Sequence, residues 1–157
     1  MSSQFGEIVK VTVFGQSHGR AIGVVIDGLP AGEVIDYNEL MAFMARRAPG
    51  RNKFTTSRRE ADVPELISGV IERDGSIVTC GSPLCAVIYN TDARPGDYNR
   101  DGGFSRTPRP SHADYTARVK WGGAADMSGS GHFSGRLTAP LTAAGAVAAQ
   151  ILARRGI

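Results

Sequence analysis

The residues in this chain best suited to chemistry are its three histidines and a run of arginines. Ser17 and His18 lie within Gly15-Gln16-Ser17-His18-Gly19, whose glycines let the backbone turn sharply or approach a ligand closely. A hydroxyl and an imidazole side by side could meet a bound molecule; a hairpin loop with a surface histidine is the plainer alternative. Arg46, Arg47, Arg51, Lys53, Arg58 and Arg59 fall within fourteen residues, with Glu60 adjoining. Guanidinium groups bind phosphate or carboxylate as a bidentate fork. A solvated face is the ordinary alternative, as is pairing of Arg46 and Arg47 with a helix C-terminus. Pro108-Arg109-Pro110-Ser111-His112-Ala113-Asp114 sets His112 near a helix start, where anions are stabilised, with Arg109 close by. Ser128-Gly129-Ser130-Gly131-His132-Phe133-Ser134-Gly135-Arg136 is a glycine-serine loop opening a helix. That is phosphate-cradle geometry, without P-loop or Rossmann spacing. Each segment alone has a structural explanation. Together they indicate a site for a small polyanion, with two histidines available for proton transfer.

Strands and helices must position these loops. Val9, Val11 and Val13 alternate with Lys10 and Thr12, the period of a strand with one buried face. Ile22 to Ile26 is a second β-branched run, closed by the turn Asp27-Gly28-Leu29-Pro30. Asp36 to Glu39 resembles a capping box with Glu39 reaching back, and Leu40, Met41, Phe43 and Met44 give a helical stripe to about Arg47. Ala48-Pro49-Gly50 stops that helix. Val63 to Val70 is ambiguous. Ile71–Val78 and Leu84–Tyr89 read as strands around the Gly75-Ser76 and Gly81-Ser82-Pro83 turns. The polar, aperiodic stretch from Asn90 to Thr107 fits a lid or flap. Ser111 or Asp114 is expected to cap a helix over Tyr115–Trp121. Thr138–Arg155 reads as a final helix with Leu141, Val147, Ile151 and Leu152 inside and Gly156 at its C′ position.

The totals narrow the class. A chain of 157 residues can bury a sizeable core in one domain, and twenty glycines with eight prolines indicate many tight turns. A net charge of +3, with no aromatic stacking platform beside the basic loop, argues against a nucleic-acid partner. The first ten residues lack the apolar region of a secretory signal, and no apolar run reaches membrane-spanning length, so a cytoplasmic location is expected and no membrane partner. Cys80 and Cys85 form neither a zinc pattern nor a disulfide framework.

Seven ordered blocks carry a family resemblance: G-Q-S-H-G-x-x-I-G-V-V-I-D-G-L-P-A-G (15–32), R-R-A-P-G-R (46–51), T-T-S-R-R-E-A-D (55–62), L-I-S-G-V (66–70), N-T-D-A-R-P-G-D-Y (90–98), R-P-S-H-A-D-Y (109–115) and G-H-F-S-G-R-L-T-A-P-L (131–141). The sequence resembles the N-terminal part of chorismate synthase, from Phe5 to Ile157. The resemblance implies a mixed α/β (α+β) β-α-β sandwich, a single and incomplete domain over residues 1–157, and tetrameric assembly. It implies a lyase of the shikimate pathway of aromatic amino-acid biosynthesis. Its reaction is the 1,4-anti elimination of phosphate from 5-enolpyruvylshikimate 3-phosphate, giving chorismate with reduced FMN and no net redox change; NADPH is a candidate reductant. By the same resemblance His18 faces the departing phosphate with Ser17 beside it, and His112 protonates or holds the flavin. Arg46, Arg51, Arg109 and Arg136 pair with the substrate's phosphate and carboxylates. Arg47 and Lys53 match positions associated with phosphate or pyridine-nucleotide cofactor contact, and His132, Phe133 and Ser134 a stretch touching FMN.

The chain departs from the family pattern at Gln16, where an acid is usual, at Ser111, where the family has Gly, and at Ser128 and Ser130, which replace Arg and Gly. The family is also more than twice as long. The alternative expectation is therefore a non-catalytic derivative that keeps a polyanion-binding or oligomer-contact surface.

Overall fold

The computed structural model describes residues 3–48, 60–92 and 107–157. The two alternating valine runs form an antiparallel hairpin, β2 (Lys10–Gly15) and β3 (Ala21–Asp27), in register from Lys10 opposite Asp27 to Gly15 opposite Ile22. A short β1 (Gln4–Phe5) edges β2. On the other side β3 pairs with β8 (Leu84–Tyr89), which pairs with β5 (Glu65–Ser68), giving the antiparallel order β1-β2-β3-β8-β5. A second antiparallel sheet, order β4-β7-β6, joins Val34–Ile35, Ser76–Thr79 and Val70–Arg73. With helices α1 (Tyr37–Arg47), α2 (Asp114–Lys120) and α3 (Thr138–Ala153), this is the expected mixed α/β class.

Strand alternation fixes which face is dry. Ile22, Val24 and Ile26 of β3, and Leu84, Ala86 and Ile88 of β8, all at most 3% exposed, turn toward the helices. There they meet Leu40 and Met44 of α1 and Ala139, Ala143, Val147 and Ile151 of α3. Each such aliphatic side chain contributes about 1.5–3 kcal/mol through burial.

Four local expectations need correction. Asp36 does cap α1, its carboxylate accepting from Asn38 N (2.8 Å) and Glu39 N (3.0 Å). Glu39 does not reach back, because the Asp36 N–H already donates to Gln150 Oε1 at 2.9 Å. The first 70s turn is Asp74-Gly75, both at positive φ, and Ser76 opens β7 opposite Arg73. That two-residue geometry matches strand twist. The ambiguous stretch before it becomes β5 and the start of β6, with an irregular register between Leu66 and Ser68. Neither Ser111 nor Asp114 caps α2: Ala113 holds the N-cap without a side-chain bond, and the Asp114 carboxylate is taken by Arg109. Helix α3 ends at Ala153, and Leu141 and Leu152 lie outside, 42% and 43% exposed. Its inner face is built instead from alanines, Pro140, Val147, Gln150 and Ile151, small enough to bring α3 close to α1 and the sheet. Of the expected lid only Asn90–Asp92 and Thr107 fall within the described residues. Among the described residues no helix is long and apolar enough to cross a membrane.

The architecture gathers several loops at one end of the layers. The β2–β3 turn, the exit of β8, the C-terminus of α1 and the approach to α3 meet there through Asn90 N to Arg20 O (3.1 Å), Ser17 N to Gly131 O (3.0 Å) and Arg47 Nε to Thr138 Oγ1 (3.3 Å).

Candidate functional site

The β2–β3 turn presents Ser17 and His18 against the glycine-serine loop. Ser17 is 3% exposed, its N–H bonded to Gly131 O, and the His18 ring lies on the backbone of Gly129. A Cβ at Gly129 would sit closer to His18 Cε1 and Nδ1 than real Cβ contacts come. Glycine is required there twice over, since φ is +55°. Gly129, Ser130 and Gly131 all have left-handed φ within the irregular 3-10 stretch Ser128–Phe133. His132 fixes this loop from its far side. Its Nδ1–H donates to Gly15 O at 2.9 Å, since a carbonyl can only accept. That leaves Nε2 to accept from the Ser3 hydroxyl at 2.8 Å. Both ring nitrogens thus serve the fold. Ser134 likewise caps the following turn, Gly135–Leu137, accepting from Arg136 N at 3.3 Å.

Arg109 joins the same loop from another direction. Its guanidinium grips Asp114 through Nε (2.8 Å) and Nη2 (3.0 Å), and Nη2 also donates to Ser130 Oγ at 3.1 Å. The Arg109 guanidinium holds the Asp114 carboxyl below its usual range, against the opposing effect of burial. Ser130, at φ +70°, thus sits in a conformation that favours glycine, while its hydroxyl engages an arginine. His112 is exposed, and its Nδ1–H donates to Pro110 O at 2.9 Å, which leaves Nε2 as the basic nitrogen. Phe133 stacks on Trp121 with ring centroids 4.9 Å apart, and Lys120 Nζ lies over both rings.

Behind the turn lies a buried ionic cluster. Arg136, its side chain 4% exposed, pairs with Asp62 and with Glu60 at 2.9 Å; Asp62 also pairs with Arg47. Glu60 Oε1 in turn accepts from Thr91 N (2.8 Å) and Asp92 N (3.0 Å). Arg47 further reaches Thr138, and 22% of its side chain stays exposed. Arg46, one residue earlier, points elsewhere and lies over the Phe43 ring at 5.0 Å. Adjacent helical residues do not share a face.

The structure therefore brings together Ser17, His18, Arg109, His132 and the 129–136 loop, with Arg47 and Arg136 beneath. It places Arg136 inside the protein and sends Arg46 away from the cluster. Arg51 and Lys53 lie outside the described residues. Sequence reasoning missed Asp62, Glu60, Asn90 and Trp121 as site residues and named Gly129 only within the glycine-serine loop. Glu60 and Asp62 carried a signal, as acids adjoining a cationic run; Asn90 and Trp121 carried none by spacing.

A family model described as chorismate synthase matches residues 9–157. The chorismate synthase of Lancefieldella parvula is 45% identical over 157 residues, covering 100% of this chain and 40% of that protein. That of Albidiferax ferrireducens is 49% identical over 144 residues, covering 92% and 37%, and that of Thermococcus gammatolerans 43% over 152, covering 97% and 40%. A crystal structure of a chorismate synthase shares the fold with a TM-score of 0.62, over 96% of this chain and 36% of that one, at 23% identity. The chain thus spans about 40% of the length of relatives such as the first. This chain belongs to the chorismate synthase family.

Proposed function

We propose that this chain carries the wall of a chorismate synthase site that receives the leaving phosphate of 5-enolpyruvylshikimate 3-phosphate. The observation that carries this reading is the seating of His18 on Gly129, with Ser17 tied to Gly131, which joins two of the segments singled out in the sequence. In the elimination the carbon–oxygen bond breaks, the phosphate departs with the electron pair, and a ring carbon loses a proton. His18 donates a proton to the departing phosphate, the general-acid role that an imidazole most often fills. Arg109, with its side chain 33% exposed, offers the anion a charge-assisted bond, and Arg47, 22% exposed and paired with Asp62, adds positive charge from beneath.

Reduced FMN, when bound, supplies an electron-rich ring that assists loss of phosphate. The residues here fit one face of such a group. Phe133 is 39% exposed on its Trp121 support, and Lys120 lies over both rings. His112 keeps Nε2 available to hold or pass a proton, while His132 and Ser134 hold the loop in shape. Self-association belongs to the same reading: Leu141 and Leu152 on α3 and Ile67 and Tyr89 on the sheet expose apolar surface.

Phosphate release, measured anaerobically with photoreduced FMN, tests the proposal. The expected result is turnover that falls about 10²–10⁴-fold in His18→Ala, the range typical of a lost general acid. Turnover indifferent to His18, or neither turnover nor binding of the phosphorylated substrate, would overturn it.

A further inference from the structure

Asn90 follows the last residue of β8 and occupies none of the roles described above. Its side chain nevertheless uses both ends. Nδ2 donates to Gly19 O at 2.7 Å and to Gln16 O at 3.1 Å, the carbonyls that bracket Ser17 and His18. Oδ1 accepts from Arg136 Nε at 3.2 Å. Its own N–H donates to Arg20 O at 3.1 Å, so the backbone of Asn90 is fixed to the same turn. The orientation of the amide is forced, because two carbonyls need the NH₂ end and a guanidinium N–H needs the oxygen.

From this geometry we infer that Asn90 is a positioning residue that sets His18 by clamping its turn to the buried Arg136. Three facts make the clamp stiff. Both donors of the amide are spent on one five-residue turn, its acceptor is spent on an arginine 4% exposed, and that arginine is gripped by Glu60 and Asp62. A lone hydrogen bond to a surface loop would hold little. A path of bonds ending in a buried ionic cluster transfers the rigidity of the interior to the turn. The same path gives Glu60 and Asp62 a function: they keep Arg136 in place as the anchor. Asn90 touches no reacting atom in this scheme and acts through His18.

The inference rests on the proposed role of His18, but its test does not require turnover. In the full chain, the His18 imidazole resonance is followed by NMR in Asn90→Ala and Asn90→Asp. Asn90→Ala removes the clamp. Asn90→Asp keeps the acceptor for Arg136 and turns a second oxygen toward Gln16 O and Gly19 O, so it breaks only the turn side. In both variants the His18 signal should move toward that of the exposed His112 and broaden, while His112 stays put. Where the wild-type chain turns over, kcat should fall about 10- to 100-fold with KM within about threefold, as for a group displaced by an ångström. In the wild type, the Asn90 Nδ2 protons should exchange more slowly than those of the exposed Asn38. This measurement stands even if both variants fail to fold. An unmoved His18 signal alongside lowered thermal stability, or Asn90 side-chain protons exchanging as fast as those of Asn38, would overturn the inference. A shifted His18 signal in a chain without phosphate release would instead count against the proposed function alone.

Discussion

Two buried regions lie side by side here and are built on opposite principles. The layer between the sheet and α1 and α3 is aliphatic, and its members recur at strand and helix periods along the chain. The cluster at the end of that layer is ionic, and its members stand far apart in sequence: Arg47 and Asp62 are 15 residues apart, Asn90 and Arg136 46, Asp62 and Arg136 74. Aliphatic contacts are non-directional, so the first region tolerates local adjustment. Ionic contacts in a dry site depend on every partner being present, because a charge stripped of its counterion keeps its desolvation penalty. One region supplies stability. The other fixes geometry where the candidate chemistry lies.

The sharpest way to break this contrast is to remove Asp62. Its carboxylate is fully buried between two arginines, so Asp62→Ala should cost about 3–5 kcal/mol, read by urea denaturation, because Arg47 loses its carboxylate partner and Arg136 keeps only Glu60 of its two. Leu40→Ala, in the aliphatic layer, should cost about 2–5 kcal/mol, but leave the His18 NMR signal in place. Were the two variants to disturb His18 equally, the division between the regions would fail. Gly129→Ala comes next. It forces a β-carbon into the His18 ring at φ +55°, and the left-handed backbone alone adds about 1–2 kcal/mol. The expected outcome is a displaced His18 resonance with a modest drop in melting temperature.

Acid titration sharpens the comparison at smaller amplitude. The Asp114 carboxyl is held low, chiefly by its bonds to Arg109. A depressed folded pKa means that its stabilisation is complete above the unfolded value of about 3.9 and is lost as pH falls through the folded value. Asp114→Asn should therefore lower stability at neutral pH and flatten the acid limb below about pH 4. The smallest effect expected is a gain. Ser111 is exposed at φ +61°, so Ser111→Gly should raise stability by up to about 1 kcal/mol, once the looser unfolded chain is set against the relieved strain.

The aliphatic region was legible in the sequence because periodicity reports it. Val11, Val13, Ile22, Val24 and Ile26 declare a hairpin, and Leu40 and Met44 declare a helix face. Helix α3 was legible as a helix with Val147 and Ile151 inside, but Leu141 and Leu152 were misplaced because leucines outrank alanines as interior markers, and here close approach put the alanines inside. The site was half legible. Loops rich in Ser, Gly, His and Arg announced themselves by residue type, and three of them do meet at Gly129–His132. What spacing could not reveal was which arginines already have internal partners. Asn90 becomes visible only when the fold brings it to Arg136, and only there does Asp62, at positive φ, show that it serves two arginines at once. The departure at Ser130 also has a local reading, since its hydroxyl meets Arg109. For Gln16 the structure shows an exposed residue whose carbonyl serves Asn90.

Gln150 carries a consequence for how the two long helices are indexed. Its amide exchanges both bonds with the backbone of Asp36, donating Nε2–H to Asp36 O at 3.0 Å and accepting from Asp36 N at 2.9 Å. The alanines of α3 give its inner face little relief beside Val147 and Ile151. The two-point attachment adds a directional stop: a shift of α3 by one turn, about 5.4 Å, would take the acceptor from the Asp36 N–H and leave Asp36 O with only the Leu40 N–H, at 3.0 Å. The far end of α1 delivers Arg47 to Asp62, and the near end of α3 follows directly from Arg136. One interior amide at the opposite end of the helices thus acts as the detent that keeps both arginines in step.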